Sequence, residues 1–344
     1  MTTFESDDVP TPAAALARMI NGYWLTQMLY VAARLGVADA LAEAPRTAEE
    51  LAERTGSHAR SLYRLLRTLS GLGIFAQSED GRFALTETSS LLRSDVAGSL
   101  HGLALYSGDP RQYRYRVWGE LHETVRTGQP AFAKLVGMKP FAYLQTHPDL
   151  ARDFDRAMDS YSTECSAAIL AKYDFGRYRY IVDVGGGGGR MLAEILLRHA
   201  TLRGAVLDLP EVVARAKERF QREGLSERAD GVAGDFFEHV PAGADLYLLK
   251  CVVHDWEDER AAVILQSCRR AMSKDATLLL AETVIRPGAG ASLGSLMDMN
   301  MMVVHGGLER TQAEFAALLR RADLELSRVI FTGTGVDLVE ARPV

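Results

Sequence analysis

A glycine-rich segment in the middle of the chain has a composition suited to ligand binding. It begins at Asp183 and continues Val-Gly-Gly-Gly-Gly-Gly-Arg, directly after a short apolar run. Glycine has no Cβ, so such a loop lets a ligand approach the backbone closely. The spacing excludes a G-x-G-x-x-G dinucleotide loop, because Arg190 or Met191 stands where its third glycine would be. The pattern that fits is acid-x-G-x-G-x-G, with Gly185 and Gly187 as its first two glycines.

Two further acids follow apolar runs in the same way. Asp208 ends the run at 205–207, where one carboxylate can accept hydrogen bonds from both hydroxyls of a ribose. An aspartate before Leu209-Pro can also cap the next helix, and that alternative stays open here. Asp235 and Phe236 follow a third run, where an acid can accept from an adenine amino group and an aromatic ring can lie against the base. Together these residues predict a nucleoside site.

A histidine follows the fourth apolar run, in the segment Lys250-Cys-Val-Val-His254-Asp255-Trp. A lone histidine is more often structural than catalytic, but this one follows a strand that would bring it to the same site. Imidazole has an ordinary pKa of about 6.5, so it is free to accept a proton at neutral pH. His254, Asp255 and Asp258 are conceivable zinc ligands, but one histidine with two acids is not a persuasive zinc arrangement. We expect no metal.

These residues act together only if the fold brings their strands side by side. From residue 178 onward, apolar runs alternate with helical patterns. We predict strands at 180–184, 205–207, 244–253 and 276–285, helices at 191–198, 211–223, 261–272 and 314–321, and a final hairpin from 325–331 and 336–340. This alternation predicts an α/β fold with a doubly wound parallel sheet. Ligands of such sheets bind at the carboxyl ends of the strands.

The first 175 residues have a different pattern, mostly helical. A helical segment at about 11–41 has apolar residues at helical spacing: Leu16, Met19, Ile20, Tyr23 and Trp24. A capping box from Thr47 to Glu50 opens a short helix, and Ser57 is predicted to cap a second one. The inner face of that second helix consists of leucines: Leu62, Leu65, Leu66, Leu69 and Leu72. A turn at Asp80-Gly81 then predicts a hairpin, and the whole unit resembles a winged helix.

A winged helix raises the possibility of DNA binding. Arg60, Arg64 and Arg67 share one face of the second helix, as in a recognition helix. The net charge of −6 and the absence of further basic clusters in the sequence favour a solvated or subunit-facing stripe instead. We therefore expect no nucleic acid partner, and note that small winged helices also serve as dimerisation modules.

Composition limits the remaining possibilities for the class and location of the protein. The chain has 344 residues, and its three cysteines are too widely spaced for a disulfide framework or a metal knuckle. Its acidic start and lack of long apolar runs predict neither a secretory signal nor a membrane span. A reduced, cytoplasmic setting is expected. The change in pattern predicts three parts: a winged-helix-like domain at 1–100, a helical layer at 101–175 and an α/β domain at 176–344.

Five motifs occur in order across residues 183–311: DVGGGGG, LDLP, GDFF, LK-x3-HDW and GG-x-ERT. Together they resemble the S-adenosylmethionine-dependent O-methyltransferase family that includes plant caffeate and flavonoid enzymes and bacterial polyketide-tailoring ones. The N-terminal region resembles the family's dimerisation domain, so the likeness covers nearly the whole chain. It implies a class I methyltransferase fold and a homodimer formed through that domain. It also implies S-adenosylmethionine as cofactor, S-adenosylhomocysteine as product, and a small aromatic hydroxyl compound as substrate.

The resemblance also assigns roles to residues. His254 matches the general base, and Glu282 and Glu309 match the two acids that flank and orient it. The cofactor would be bound by residues of the glycine loop and the strand ends: Asp183, Gly185, Gly187, Asp208, Leu209, Asp235, Phe236 and Lys250. An acid such as Asp183 would favour the ammonium group of that cofactor, which has no pyrophosphate.

A substrate pocket is expected between the sheet and the helical layer. Its candidates are Phe141, Met158, Asp255, Met297, Asn300, Met301 and His305, although plain core packing explains any single methionine equally well. Plant relatives often have Asn-Pro where Val304-His305 stand, which argues against transferring a plant substrate. Two other functions remain open: another reaction on an aromatic compound, such as hydroxylation or decarboxylation, and a DNA-binding ligand sensor.

Overall fold

The computed structural model describes residues 11–288 and 293–344, which form two compact units. The first contains the described residues up to Arg116 together with Leu144–Tyr161. The second contains Val117–Tyr143 and the described residues from Ser162 onward. Among the described residues, no helix is both long enough and apolar enough to cross a membrane.

The first unit is mainly helical with one small hairpin. Its elements are α1 (Pro12–Ile20), α2 (Gly22–Arg34), α3 (Val37–Ala40), α4 (Ala48–Thr55), α5 (Ala59–Gly71), β1 (Phe75–Gln77), β2 (Phe83–Leu85), α6 (Glu87–Ser90) and α7 (His101–Gly108). Further helices follow in the chain, of which α9 and α10 belong to the second unit: α8 (Arg114–Gly119), α9 (Leu121–Thr127), α10 (Ala131–Val136), α11 (Pro140–Gln145) and α12 (Pro148–Lys172). The chain passes from one unit to the other within α8, α11 and α12.

The winged-helix prediction is confirmed in its main features. Thr47 and Glu50 form the predicted capping box, each side chain accepting from the other residue's backbone N–H. β1 and β2 pair antiparallel around the turn at Asp80-Gly81. The predicted cap of α5 was wrong. The hydroxyl of Ser57 bonds to that of Thr55, and His58 holds the N-cap position.

The inner face of α5 is narrower than predicted. Leu62, Leu66 and Leu69 are buried, whereas Leu72 follows the last helical residue and is 54% exposed. The helical segment predicted at about 11–41 consists of three helices, α1, α2 and α3. It is interrupted at Asn21 and at Gly36, whose φ of 65° is the left-handed conformation that ends helices.

An apolar face of α1 and α2 is uncovered in the single chain. Its members are all more than half exposed: Leu16 (59%), Met19 (77%), Ile20 (65%), Tyr23 (55%) and Trp24 (54%). Exposed apolar patches of this kind usually mark interaction surfaces.

The second unit is built on a seven-stranded sheet. Its strands are β3 (Tyr180–Val184), β4 (Arg203–Asp208), β5 (Ala229–Ala233), β6 (Leu246–Lys250), β7 (Thr277–Glu282), β10 (Leu324–Ile330) and β11 (Asp337–Pro343), with β8 (Val284–Ile285) and β9 (Arg310–Thr311) forming a separate parallel pair. The helices that accompany them are α13 (Arg190–Arg198), α14 (Pro210–Arg222), α15 (Asp258–Ala271), α16 (Leu293–Val304) and α17 (Gln312–Arg320).

The sheet order is β10-β11-β7-β6-β3-β4-β5. Strands β5, β4, β3, β6 and β7 are parallel, which confirms the predicted parallel sheet for these five. The predicted terminal hairpin, β10–β11, joins the same sheet and adds antiparallel strands at one edge, so the sheet as a whole is mixed. The strand order reverses at β3, so the crevice in which such sheets bind ligands is expected between the carboxyl ends of β3 and β6.

Successive residues of the central strands pack on opposite faces of the sheet, and both faces are buried. Val182 and Leu249 belong to one core cluster, and Ile181 and Leu248 belong to the cluster on the opposite face. Helices cover both faces of such a sheet, so its strands are apolar throughout and only their ends carry polar groups. The polar residues Asp183, Asp208 and Lys250 lie at or near those ends.

Candidate active site

The glycine loop follows β3 and packs tightly against its neighbours. Gly185 has a φ of 71°, and its N–H donates to the carbonyl of Leu207 at 2.8 Å. A Cβ on Gly185 would lie 2.8 Å from Cγ2 of Val252, and one on Gly186 would lie 2.5 Å from Oδ2 of Asp183. Both separations are too short for a side chain, so the loop requires glycine at these positions.

Asp183 has a buried carboxylate with unused acceptors. The residue is 1% exposed, and neither carboxylate oxygen has a hydrogen-bond partner among the described residues. Burial raises its pKa to about 7, against the opposing charge of Lys250. A buried carboxylate without donors is unfavourable, so the position suits a ligand that brings a cationic or N–H group. The predicted cofactor with its ammonium group fits that requirement.

Asp208 links β4 to the glycine loop. Its Oδ2 accepts from the N–H of Gly187 at 2.9 Å, and its Oδ1 accepts from the N–H of Leu209 at 2.7 Å. Leu209, not Asp208, is the N-cap residue of α14, so the helix-cap alternative is wrong. A carboxylate has about four acceptor sites, so each oxygen keeps room for a ligand hydroxyl.

Asp235 and Phe236 follow β5 on the far side of the loop. Asp235 is exposed, and its Oδ1 accepts from the N–H of Phe237 at 2.8 Å. The Phe236 ring borders the glycine loop, because a Cβ on Gly185 would lie 3.5 Å from its Cε1. Lys250, at the end of β6, is close enough to Asp183 to oppose the rise in its pKa. The predicted cofactor residues therefore lie at or just after the carboxyl ends of β3, β4, β5 and β6, where a ligand crevice is expected.

His254 lies in a short 3-10 helix, Val253–Asp255, after β6. Its Nδ1 is 2.8 Å from Oε1 of Glu309 and 3.7 Å from Oε2 of Glu282, and its Nε2 is 3.7 Å from Oδ1 of Asp255. The side chains of both glutamates are fully buried, and that of His254 is 13% exposed. The three residues predicted to be catalytic therefore lie in direct proximity.

Glu282 holds the backbone that carries His254. It is the last residue of β7, and its Oε1 accepts from the N–H groups of Val252 and Val253 at 2.9 and 2.7 Å. Its other oxygen has no hydrogen-bond partner among the described side chains and lies toward the imidazole. One carboxylate thus fixes the loop and places a negative charge beside Nδ1.

Glu309 is positioned by the Gly-Gly segment before it. A Cβ on Gly307 would overlap the carbonyl oxygen of His254, and the N–H of Leu308 donates to that carbonyl at 2.9 Å. The N–H of Glu309 donates to Oδ1 of Asp298 at 2.9 Å. The loop that carries His254 and the segment that carries Glu309 approach so closely because residue 307 has no side chain.

Sequence reasoning missed Arg310, which joins the two segments. Its guanidinium is buried and donates to Oδ1 of Asp258 at 2.8 and 3.0 Å, to the carbonyl of Trp256 at 2.9 Å and to that of Val253 at 3.3 Å. The sequence left Asp258 open as a metal ligand, but its carboxylate forms an ion pair with Arg310. The sequence signal for Arg310 is its place in the GG-x-ERT motif, directly after Glu309.

The surroundings of His254 change its acidity. Burial alone would lower its pKa, but the charges of Glu282, Asp255 and Glu309 outweigh burial and raise the pKa well above the ordinary 6.5. Burial raises the pKa of Glu282 to about 7. The expectation of an imidazole with an unperturbed pKa was therefore wrong, because the sequence does not show how many acids surround it.

Apart from Asp255, which lies on the 3-10 helix after β6, the substrate candidates of the second unit lie on α11, on α16 and just after α16. Asn300 is 7% exposed and accepts at Oδ1 from Nε1 of Trp118 at 3.3 Å. The ring centroids of Phe141 and His305 are 5.3 Å apart, and Nδ1 of His305 is 3.8 Å from Oδ1 of Asp255. Asp255 thus lies between two histidines.

The methionine candidates have different positions. Met301 is 5% exposed, as expected for a core residue, and Sδ of Met297 accepts from the side-chain amide of Asn300 at 3.8 Å. Met158 lies on α12 in the first unit. The substrate role of each of these residues stays a prediction.

Comparisons with known proteins identify relatives along the whole chain. The O-methyltransferase domain family model matches residues 118–325, and the O-methyltransferase dimerisation domain model matches residues 17–95. A phenazine O-methyltransferase of Lysobacter antibioticus is 40% identical over 332 residues, 96% of each chain. The mitomycin biosynthesis 6-O-methyltransferase of Streptomyces lavendulae is 37% identical over 352 residues, 99% of each. The phenazine-1-carboxylate N-methyltransferase of Pseudomonas aeruginosa is 32% identical, covering 92% of this chain and 93% of that protein.

Solved structures agree with these relatives. The crystal structure of LaPhzM has a TM-score of 0.92 at 40% identity, covering 98% of this chain and all of that one. An O-methyltransferase from neocarzinostatin biosynthesis has a TM-score of 0.82 at 36% identity, covering 98% of this chain and all of the other. It was solved with S-adenosylmethionine and 2-hydroxy-5-methyl naphthoic acid bound.

Proposed function

This chain belongs to the S-adenosylmethionine-dependent O-methyltransferase family, and we propose that it methylates a phenolic hydroxyl of a small aromatic natural product with His254 as general base. The observation that carries the proposal is the hydrogen bond between Nδ1 of His254 and Glu309. A carboxylate accepts from an N–H at Nδ1, so in its neutral form His254 would carry its proton on Nδ1 and present the Nε2 lone pair to the hydroxyl of the methyl acceptor. Relatives that act on phenazine, mitomycin and naphthoate compounds support an aromatic substrate.

The residues of the crevice fit the family's cofactor. When bound, S-adenosylmethionine supplies an activated methyl group. The buried carboxylate of Asp183 would receive its ammonium group, and Asp208 would accept from its ribose hydroxyls. Phe236 would lie against the adenine. The loop at Gly185–Gly187 has no side chains, so the cofactor could approach the protein backbone closely.

His254 would remove the substrate proton as the oxygen attacks. A phenol has a pKa of about 10, so transferring its proton to an unperturbed imidazole would cost about 5 kcal/mol. The acids around His254 raise its pKa and narrow that gap. The imidazolium formed at Nε2 would be stabilised by the carboxylates of Glu282 and Glu309. Proton removal in step with attack avoids forming a free phenolate.

The elements around His254 would supply orientation rather than further chemistry. Glu282 fixes the loop backbone, and Arg310 ties that loop to the segment of Glu309. A base held from both sides can keep its Nε2 aligned with a hydroxyl, and alignment of reacting groups accounts for a large part of enzymatic acceleration. Asp255 would face the substrate between His254 and His305.

A related N-methylation is the second candidate, because one relative methylates a nitrogen of phenazine-1-carboxylate. An aromatic ring nitrogen with a free lone pair has no proton to lose, so its methylation would need no base. If the His254–Glu309 pair had only a structural role, a variant without His254 would methylate such a nitrogen as fast as the unsubstituted chain.

An acceptor panel tests the proposed function. The purified chain is incubated with S-adenosylmethionine and with matched aromatic compounds that carry a hydroxyl, an O-methyl group or only a ring nitrogen. We expect mass spectrometry to show one added methyl group on phenolic members only. Methylation confined to ring nitrogens would overturn the proposed O-methylation, and so would no methylated product on any member.

The proposed assembly is a homodimer formed by the N-terminal unit. The dimerisation domain model covers the exposed apolar residues Met19, Ile20, Tyr23 and Trp24. Burying such residues in water-excluded contact is the main favourable contribution to association. The same match supports a dimerisation role for the winged helix over a DNA-binding one.

A further inference from the structure

A cysteine lies within the catalytic cluster although the proposed reaction does not use it. Sγ of Cys251, a ring nitrogen of His254 and a carboxylate oxygen of Glu282 all lie within 4.8 Å of one another. Cys251 follows β6 directly and has a φ of 54°, a left-handed conformation that is uncommon outside glycine. Its N–H donates to the carbonyl of Ala281 at 3.0 Å, which holds the residue beside the end of β7.

One buried oxygen of this group has no donor. Oε2 of Glu282 has no hydrogen-bond partner among the described residues, its side chain is fully buried, and it lies 3.7 Å from Nδ1 of His254. An unpartnered buried acceptor is unfavourable, and a bound cation would satisfy it. This observation is independent of the cysteine and points to the same place.

We propose that Cys251, His254 and Glu282 form a binding site for a thiophilic divalent cation such as Zn²⁺, and that occupancy of this site switches off the base. Thiolate, imidazole and carboxylate are the ligands that Zn²⁺ takes in proteins. Tetrahedral bonds of about 2.0–2.2 Å to nitrogen and oxygen place these atoms about 3.4 Å apart. The 3.7 Å between Nδ1 of His254 and Oε2 of Glu282 is close to that spacing.

Cation binding accounts for all protons. Starting from the imidazolium form of His254, the thiol proton of Cys251 and the Nδ1 proton leave to solvent, and the sulfur and Nδ1 each bond to the metal. The coordinated imidazole keeps its remaining proton on Nε2. That nitrogen is then a donor and cannot accept a proton from substrate.

The charges around the site allow a cation. Glu282, Glu309 and Asp255 surround His254, while Lys250 lies next to Cys251 in sequence and opposes the rise that burial gives to the pKa of its thiol. The charges of a thiolate, a carboxylate and a neutral imidazole balance that of Zn²⁺, so the bound cation leaves no excess positive charge in the buried site. Inhibition by the cation rests on the proposed function, whereas cation binding does not.

Metal binding is tested with Co²⁺ on the full-length protein, because cobalt–thiolate bonds absorb in the near ultraviolet. We expect one equivalent of Co²⁺ to produce that absorption in the unsubstituted protein and in Cys165→Ser, and Cys251→Ser to lose it. Cys165 is a matched control, since it lies on α12 and its Sγ donates to the carbonyl of Thr334 at 3.6 Å. An unchanged band in Cys251→Ser, or no band in the unsubstituted protein, overturns the site.

A second arm measures methyl transfer. We expect micromolar Zn²⁺ to lower the rate more than tenfold, a chelator to restore it, and Cys251→Ser to stay active with Zn²⁺ present. Binding of S-adenosylhomocysteine and the melting temperature of each variant are measured alongside, so that a misfolded variant is recognised. Equal inhibition of Cys251→Ser overturns the proposal. A chain that transfers no methyl group yet shows the cysteine-dependent Co²⁺ band contradicts the proposed function and leaves the metal site standing.

Discussion

Nδ1 of His254 and Oε1 of Glu309 are 2.8 Å apart, with the carboxylate fully buried. The contact joins the end of β6 to the segment that follows α16, 55 residues later in the chain. An ionised carboxylate accepts from an N–H at Nδ1, so in this arrangement a neutral His254 would keep its lone pair on Nε2, the nitrogen that we propose as the base. A carboxylate that orients a histidine and stabilises its imidazolium form is a recurring arrangement in enzymes that use histidine as a base.

Glu309→Gln should shift the pH dependence of the reaction. The carboxylate raises the pKa of His254, so its neutral replacement should lower that pKa. The acid limb of kcat/KM, which reports the free enzyme, should move to lower pH by about one unit, and the plateau should fall because the base is weaker. Glu325→Gln, at an exposed position on β10, is the matched control. A limb that stays in place or moves upward would show that Glu309 does not act on His254.

Asp183→Asn should stabilise the free protein while weakening cofactor binding. Native Asp183 has a pKa of about 7 instead of 3.8, so it holds a proton that the unfolded chain has released. Stability contributed by this group therefore falls as pH rises between those values. Above pH 7 the variant should be more stable by up to about 4 kcal/mol in urea unfolding, with lower affinity for S-adenosylmethionine.

Asp275→Asn, at an exposed turn before β7, is the control for that experiment. It should change neither the pH dependence of unfolding nor cofactor affinity. A variant Asp183→Asn that binds S-adenosylmethionine with unchanged affinity would contradict the assignment of the ammonium group to this carboxylate.

Gly307→Ala should reduce catalysis without removing the cofactor site. Its Cβ would overlap the carbonyl of His254, so the two segments must separate and the Nδ1–Glu309 bond must lengthen. We expect kcat to fall about 100-fold, since misplacement of about 1 Å has effects of that size. Gly119→Ala, where a Cβ meets no atom within 4 Å, is the control. Equal kcat for both variants would mean that this approach does not set the geometry of the base.

Met19→Glu combined with Trp24→Glu should convert the proposed dimer to a monomer. Both side chains are more than half exposed in the single chain, and a buried charge without a partner opposes association. Light scattering after size exclusion measures the mass, and circular dichroism checks the helices. Leu197→Glu, at a leucine on α13 that is also more than half exposed, should remain dimeric. An unsubstituted chain that is monomeric would contradict the proposed dimer.

The sequence alone identified those features of the site that a single strand or loop determines. Acids and a histidine after apolar runs led to Asp183, Asp208 and His254, and parallel strands bring such residues to one edge of a sheet. Features that depend on distant segments were not predictable. The bond from Gly187 to Asp208, the buried Arg310 and the raised pKa of His254 all depend on groups that meet only in the folded chain.

His254 is proposed to remove the proton of a hydroxyl acceptor, and His254→Ala tests this role most directly. The rate of methyl transfer to a phenolic acceptor is measured for both proteins, together with their affinities for S-adenosylmethionine. If His254 is the base, kcat should fall about 100- to 10,000-fold with cofactor affinity unchanged. A variant that methylates the phenol at the rate of the unsubstituted protein would contradict the role of His254.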